Sequence, residues 1–348
     1  MKIGILTFHN ADNYGAVLQC YALQESLKKL FPNDEVCAAD YRNNEIEKSY
    51  RILSIRKKLR ANITQFLYIP AALGKRNQFK KFRERFLSLG SSDITKYDMI
   101  FYGSDQIWNP VLTAGDLSYF GNGFDGVKIA YGASDGGEIK EQEIKELLLK
   151  FKGISCREKT LAEKISCMTA RKDIKAVCDP VFLLSKNAWL AIAKAPKQNG
   201  YILAYKIADN LNFDSEVEKT AIRLEKKVIQ IVYLKSLRKL FCRKQHFVKG
   251  ISVEEFLGYV ANADLVITTS FHATAFSLIF ERPFYVLKLE IRSERITDLL
   301  NSIQLEERYV EKIPEKITGC EIYSTEVKEN FKTHCSGGKR FLSEVLNV

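Results

Sequence analysis

A short apolar run, Leu265-Val266-Ile267, leads directly into Ser270-Phe271-His272-Ala273-Thr274-Ala275 and then into a helical stretch that Pro283 closes. Such a run suits a strand covered on both faces, the habit of parallel sheets. Phe284-Tyr285-Val286-Leu287 begins another strand immediately afterwards. Strand, tight turn, helix and strand make a crossover unit, and crossover units build doubly wound sheets. His272 then stands at the carboxyl end of a strand and beside a helix N-terminus, where open α/β sheets bind anionic ligands. The chain has only four histidines, so groups able to move a proton near neutral pH are few.

The same alternation runs through the whole chain. Strands are predicted at Lys2–Phe8, Glu35–Ala39, Met99–Tyr102, Lys128–Gly132 and Ile154–Cys156. Helices are predicted at Ala16–Leu30, Glu138–Phe151 and from Arg157 through Ile165, while residues 45–88 are basic with apolar positions at helix spacing. A boundary is expected at Ala188–Gly200, where Ala195–Gly200 is polar and turn-rich. The alternation then restarts with strands at Tyr201–Tyr205, Lys227–Tyr233, Leu265–Thr269 and Phe284–Lys288, with helices at Phe213–Lys226, Ser252–Ala261, Thr274–Phe280 and Arg295–Ser302. At 348 residues, two domains of about 150–200 residues are expected. The predicted class is α/β, with two Rossmann-like doubly wound domains at 1–187 and 188–310 facing across a cleft lined by strand ends. Residues 311–348 form a connector ending in a helix at Arg340–Leu346.

Composition narrows the function classes. Apolar content of 46% with 27% charge belongs to a globular chain, not a disordered one. The opening MKIGILTFHN lacks the longer apolar region of a signal peptide. The apolar patch Phe66–Leu73 is interrupted by Pro70 and falls short of the ~20 residues a span needs, so a cytoplasmic protein is expected. Eight cysteines show no C-x-x-C spacing and no pairing with the histidines, which points away from zinc and from disulfides. No acidic pair has metal-ligand spacing either, so no metal is expected. The net charge of +11 is clustered at Arg51–Arg60, Lys75–Arg85 and Lys235–Lys249. These clusters suit either a solvated helix face or peripheral contact with the anionic inner face of the plasma membrane. No nucleic-acid-binding motif accompanies them.

Four turns carry candidate chemistry. Thr7–Ala16 has one glycine, so it is neither a dinucleotide fingerprint nor a Walker loop. Asn13 or Asp12 there either caps the next helix or leaves its N-terminus open to a substrate hydroxyl or phosphate. In Gly103–Asn109, Asp105 is placed to orient or deprotonate a sugar hydroxyl and Trp108 to stack on a sugar ring; an Asp cap with a buried Trp is the competing reading. Ser134 and Arg157-Glu158 follow the next two strands. Arg157 suits bidentate capture of phosphate or carboxylate, or a salt bridge. The fourth turn holds His272. His9 and His334 have weaker context, and His246 sits among basic residues.

Six motifs occur in order: N-Y-G-A-V-L-Q at 13–19, Y-G-S-D-Q-I-W-N at 102–109, Y-G-A-S at 131–134, S-C-R-E at 155–158, C-D-P at 178–180 and D-L-V-I-T-T-S-F-H-A-T-A-F-S at 264–277. Together, over about residues 1–310, they resemble the polysaccharide pyruvyl transferase family. The resemblance implies a glycosyltransferase-B-like pair of domains, the first on the acceptor side and the second on the donor side. It also implies transfer of pyruvate from phosphoenolpyruvate to a sugar or lipid-linked oligosaccharide, often as a cyclic ketal, in cell-surface polysaccharide synthesis. Phosphoenolpyruvate is then the donor substrate and no further cofactor is implied. Many members carry Arg where this chain has Ser270. Arg157, Arg282, Lys288, Arg292 or Arg295 is left to meet the phosphate and carboxylate.

The implied chemistry needs a general acid at C3 of the enol, cations around the anionic groups, and a group on the acceptor hydroxyl. His272 is the expected acid and Asp105 the expected hydroxyl-directed group. Asn13, Trp108, Ser134, Arg157, Ser270 and Arg295 are expected to bind substrate. Two other functions stay open on the same scaffold: a nucleotide-sugar-dependent glycosyltransferase, and a sugar- or lipid-binding accessory protein.

Overall fold

The structure is a computed structural model that describes residues 1–43, 59–136, 141–207, 210, 212–232, 246–289 and 294–347. The basic sequence cluster at Arg51–Arg60 lies largely outside these residues, and that at Lys235–Lys249 falls partly outside them. Contacts divide the chain into two compact units. Met1–Arg51, Lys81–Leu184 and Lys332–Val348 form the first; Ile52–Lys80 and Ser185–Phe331 form the second.

In the first unit, β1 (Lys2–Leu6) leads to α1 (Tyr14–Leu30) and β2 (Glu35–Ala38). The long helix Leu59–Phe86, α2, comes next in the chain, its residues up to Lys80 belonging to the second unit. The first unit continues with β3 (Met99–Tyr102) and the single turn α3 (Pro110–Thr113). β4 (Val127–Ala133), α4 (Glu141–Leu149), β5 (Gly153–Cys156), α5 (Lys159–Thr169) and β6 (Lys175–Ala176) complete it. The strands pair in parallel in the order β2-β1-β3-β4-β5-β6. Alternate residues of each strand enter opposite cores, as the pleat requires. Ile3, Ile5, Phe101 and Tyr131 join Leu23 and Leu27 of α1 on one face. Ile100, Tyr102 and Ala130 join Leu148 of α4 and Ile165 of α5 on the other. Burial on both faces explains why the strands read as continuous apolar runs.

Beyond its share of α2, the second unit comprises α6 (Lys186–Ile192), β7 (Tyr201–Tyr205), α7 (Phe213–Leu224), β8 (Lys227–Ile231) and β9 (His246–Val248). It continues with α8 (Val253–Ala261), β10 (Leu265–Thr268), α9 (Phe271–Ile279), β11 (Phe284–Leu287), α10 (Glu294–Ser302) and β12 (Tyr309–Val310). The parallel order is β12-β11-β10-β7-β8-β9. Ile202, Ala204, Leu265, Ile267 and Tyr285 pack against Phe213 and Val217 of α7 on one face. A chain of edge-on rings covers the other, with Tyr205, Phe256 of α8, Phe276 of α9 and Trp189 of α6 each 5.0–6.3 Å from the next. α8 starts with a capping box in which Ser252 and Glu255 satisfy each other's backbone N–H groups.

Three elements differ from the sequence reading. Residues 186–192, which span the start of the expected boundary, are the helix α6, capped by Ser185. α9 begins at Phe271, three residues earlier than expected, because the Ser270 hydroxyl accepts from Ala273 N and caps it. The closing helix α11 spans Thr325–Leu346 and is far longer than Arg340–Leu346. It packs Phe341 and Leu342 into the first unit's core. Glycine permits the contact: a Cβ at Gly153 would overlap Val345, and one at Gly338 would overlap the Tyr131 hydroxyl.

Candidate active site

Strand order decides where each unit can hold a ligand. In a doubly wound sheet the crevice opens at the carboxyl ends of the two strands from which successive crossovers leave in opposite directions. In the first unit those strands are β1 and β3, and in the second they are β7 and β10. The loops after β1 and β3 hold Asn13 and Asp105, and the loop after β10 ends at Ser270, with His272 in the first turn of the helix that follows. Periodicity alone carries none of this, since it does not tell which strands are neighbours.

At the first switch point, Asn13 caps α1, its Oδ1 accepting from Gly15 N at 2.9 Å and Ala16 N at 3.4 Å. Asp105 has φ of +81°, a conformation that costs a non-glycine residue free energy and therefore needs support. The support is visible. Its Oδ1 accepts from Gln106 N at 3.0 Å, its carbonyl accepts from Ser134 N at 3.1 Å, and Arg157 lies 3.7 Å from the carboxylate. Arg157 in turn donates to Asp179 Oδ2 at 2.7 Å, and Ser104 Oγ donates to the same oxygen at 3.2 Å. Burial works against the Arg157 charge, but Asp179, Glu158 and Asp105 outweigh it and raise its pKa above the usual value. Ser134 Oγ donates to Glu158 Oε1 at 2.7 Å inside the same cluster.

Asp105, Ser134 and Arg157 are thus brought together, with Arg157 committed to an internal carboxylate. The Asp105 side chain remains 18% exposed, while that of Arg157 is 2% exposed. Trp108 requires a correction. It is fully buried, its indole stacks on Phe120 at 5.4 Å, and its Nε1 donates to Tyr119 O at 2.9 Å. With its surface and its N–H both used by the core, no sugar reaches it.

At the second switch point, Ser270, His272 and Arg295 come together around Phe271. The His272 ring lies edge-on to Phe271 at 5.2 Å, and the Arg295 guanidinium sits 5.8 Å over the same ring. His272 is half-buried in the first turn of α9, where backbone N–H groups and the helix dipole favour an anion. Arg282 lies at the opposite end of the sheet, before β11, and Lys288 follows β11 with its Nζ 5.8 Å over Tyr309. Arg292 falls outside the described residues.

Two features carried little or no weight in the sequence reading. His9, buried in the loop after β1, places Nδ1 3.2 Å from Thr7 O and Nε2 3.1 Å from Asp40 Oδ1. The His9 bond, reinforced by Arg42, holds the Asp40 carboxyl down at about 2. Lys206 stands directly after β7. Both owe their place to strand order; the only sequence signal was a charged or titratable residue at a strand end. Among the described residues there is no cluster of three His, Cys, Asp or Glu side chains that could hold a metal, and no helix long and apolar enough to cross a membrane.

Comparison with known proteins bears on this geometry. The family model for polysaccharide pyruvyl transferase matches residues 13–289. No curated protein sequence matches the chain. Among solved structures, the chain is similar to UDP-GlcNAc 2-epimerase from Methanocaldococcus jannaschii, with a TM-score of 0.53 at 13% identity over 100% of both chains. It is also similar to a UDP-N-acetylglucosamine 2-epimerase with a TM-score of 0.53 at 11% identity, over 99% of this chain and 96% of that one. A third is S. aureus MnaA with UDP, with a TM-score of 0.50 at 12% identity over 99% and 96%. At such identities the likeness is one of fold: an α/β chain of two parallel-sheet units, of the glycosyltransferase-B-like class.

Proposed function

Because the chain belongs to the polysaccharide pyruvyl transferase family, we propose that it transfers pyruvate from phosphoenolpyruvate to sugar hydroxyls, as a ketal, in cell-surface polysaccharide synthesis. The observation that carries the reading is His272, in the first turn of α9 at the second unit's switch point and within the family match. The second unit is the donor side in this proposal and the first is the acceptor side.

His272 delivers a proton to C3 of the enol, which becomes the methyl group and leaves C2 electrophilic. One sugar hydroxyl adds to C2 and gives up its proton; the proposal assigns Asp105 to orient or deprotonate it. The C2–O bond to phosphate then breaks, phosphate departs, and the second hydroxyl adds to close the ketal. Of the two hydroxyl protons, one replaces that used at C3 and the other leaves with phosphate. Ser270, the α9 N-terminus and Arg295 face the donor's negative charge. Asn13, at the start of α1, and Ser134, directly after β4, belong to the first unit, the acceptor side in this proposal.

The exposed basic face of α2, with Arg76, Lys80, Lys81 and Arg85, supports peripheral contact with an anionic membrane surface, where a lipid-linked acceptor would be presented. The test of the activity is incubation of purified protein with phosphoenolpyruvate and a panel of diol-bearing glycans. The expected result is phosphate release together with the mass of a pyruvate ketal on the glycan. Release of nucleoside diphosphate from a sugar nucleotide, with none from phosphoenolpyruvate, would instead establish a glycosyltransferase.

A further inference from the structure

Lys206 lies one residue past the carboxyl end of β7, beside β10 at the second switch point. Its loop is tied to the turn between β10 and α9 that leads into His272. Ile207 N donates to Thr269 Oγ1 at 3.1 Å, Thr269 N donates to Tyr205 O at 3.3 Å, and Thr268 Oγ1 donates to Tyr205 O at 2.6 Å. The Lys206 ammonium sits 5.3 Å over the buried Phe213 ring and donates to Asp214 Oδ2 at 2.9 Å. Gln230 Nε2 donates to the other oxygen of that carboxylate at 3.3 Å. The lysine side chain is 16% exposed and the aspartate 52%, so the cation is drawn in while its partner faces water.

An ion pair with one member half in water contributes little to folding, so stability gives weak reason to hold a lysine this way. A ligand carrying both a phosphate and a carboxylate supplies a stronger one, because its negative charge must be met by cations already in place. Arg295 is held over Phe271 on the α9 side of the switch point, and Lys206 is held over Phe213 on the β7 side. We propose that Lys206 binds the phosphate or carboxylate of the donor, exchanging Asp214 for the ligand, and that Asp214 keeps the ammonium in position while the site is empty. The proposal deepens the phosphoenolpyruvate reading above and rests on it.

Exchange has a signature that a structural salt bridge lacks. If the pair serves only the fold, removing either member loses the same interaction and both variants behave alike. If Lys206 binds the donor, Lys206→Met loses a ligand contact, whereas Asp214→Asn removes a competitor for the ammonium. The experiment is calorimetric titration of phosphoenolpyruvate, with inorganic phosphate as a second probe, into the full chain and its Lys206→Met, Lys206→Arg and Asp214→Asn variants. Circular dichroism confirms the fold of each.

Lys206→Met is expected to weaken phosphoenolpyruvate binding by about tenfold or more, the size of one lost hydrogen bond to a charged group. Lys206→Arg retains most of the affinity, and Asp214→Asn leaves it unchanged or tightens it. Equal weakening in Lys206→Met and Asp214→Asn, or unchanged affinity in Lys206→Met, overturns the role of Lys206 and leaves the proposed activity standing. If Lys206→Met fails to fold, a tenfold loss in Asp214→Asn overturns the exchange by itself. Absence of phosphoenolpyruvate binding by the wild type overturns both readings.

Discussion

The Arg157 guanidinium donates to the Asp179 carboxylate at 2.7 Å, with 2% and 0% of the two side chains exposed. A charge pair so completely withdrawn from water is held by its members' mutual attraction, and removing one leaves the other buried without compensation. Arg157 also stands 3.7 Å from Asp105, whose backbone is strained. The pair therefore acts on the first unit's candidate site through Asp105, as a positioning device.

Arg157→Ala and Asp179→Ala are each expected to lower unfolding free energy by about 3–5 kcal/mol. Urea denaturation followed by circular dichroism measures this. A loss below about 1 kcal/mol, the size of an exposed pair, would contradict the assignment. Because these variants lose stability as well as site geometry, their lost turnover alone does not identify Arg157 as a substrate contact.

Trp108→Ala is expected to cost about 3–5 kcal/mol of stability, as for other buried aromatic residues. Trp108→Phe keeps most of the ring stacking on Phe120 and loses the hydrogen bond to Tyr119 O. It should leave the acceptor KM unchanged within about twofold, a change worth only ~0.4 kcal/mol. A large rise in acceptor KM with an unaltered melting temperature would return the indole to the sugar site.

His334, on α11 and edge-on to Phe182 at 5.5 Å, is pushed down from 6.5 to about 4, mainly by burial and further by Lys159, with Asp179 opposing. Below pH 6.5 the unfolded chain takes up a proton at this ring that the folded chain refuses. Stability from this residue is complete above that pH and is lost as pH falls toward 4. In His334→Leu, the decline of melting temperature between those pH values should be shallower than in wild type. An identical decline would mean that the ring titrates normally in the folded state.

The strands were legible because both faces of each sheet are covered, which leaves apolar runs such as Met99–Tyr102 and Leu265–Thr268. The motif loops were legible too, since they follow those runs. α11 was not, because Gly337 and Gly338 have low helix propensity. The second of them instead admits Tyr131 and Cys178 to the helix surface. Trp108 was misjudged because an aromatic residue at a strand end looks the same whether it faces a crevice or a core. Lys206 was passed over for a different reason. Its place beside the turn that leads into His272 depends on β7 and β10 being neighbours, although β8 and β9 lie between them in the chain.

Delivery of a proton from His272 to C3 of phosphoenolpyruvate, as proposed above, is read most directly in the isotope content of the product. Run in heavy water with a glycan that accepts pyruvate, the wild type should place one solvent deuteron in each new ketal methyl group, read by mass spectrometry and NMR. His272→Ala, folded by circular dichroism, should form ketal at a rate lower by about 100-fold or more, the contribution typical of a positioned general acid. A product methyl without deuterium, or a His272→Ala variant that forms ketal at the wild-type rate, would contradict the account.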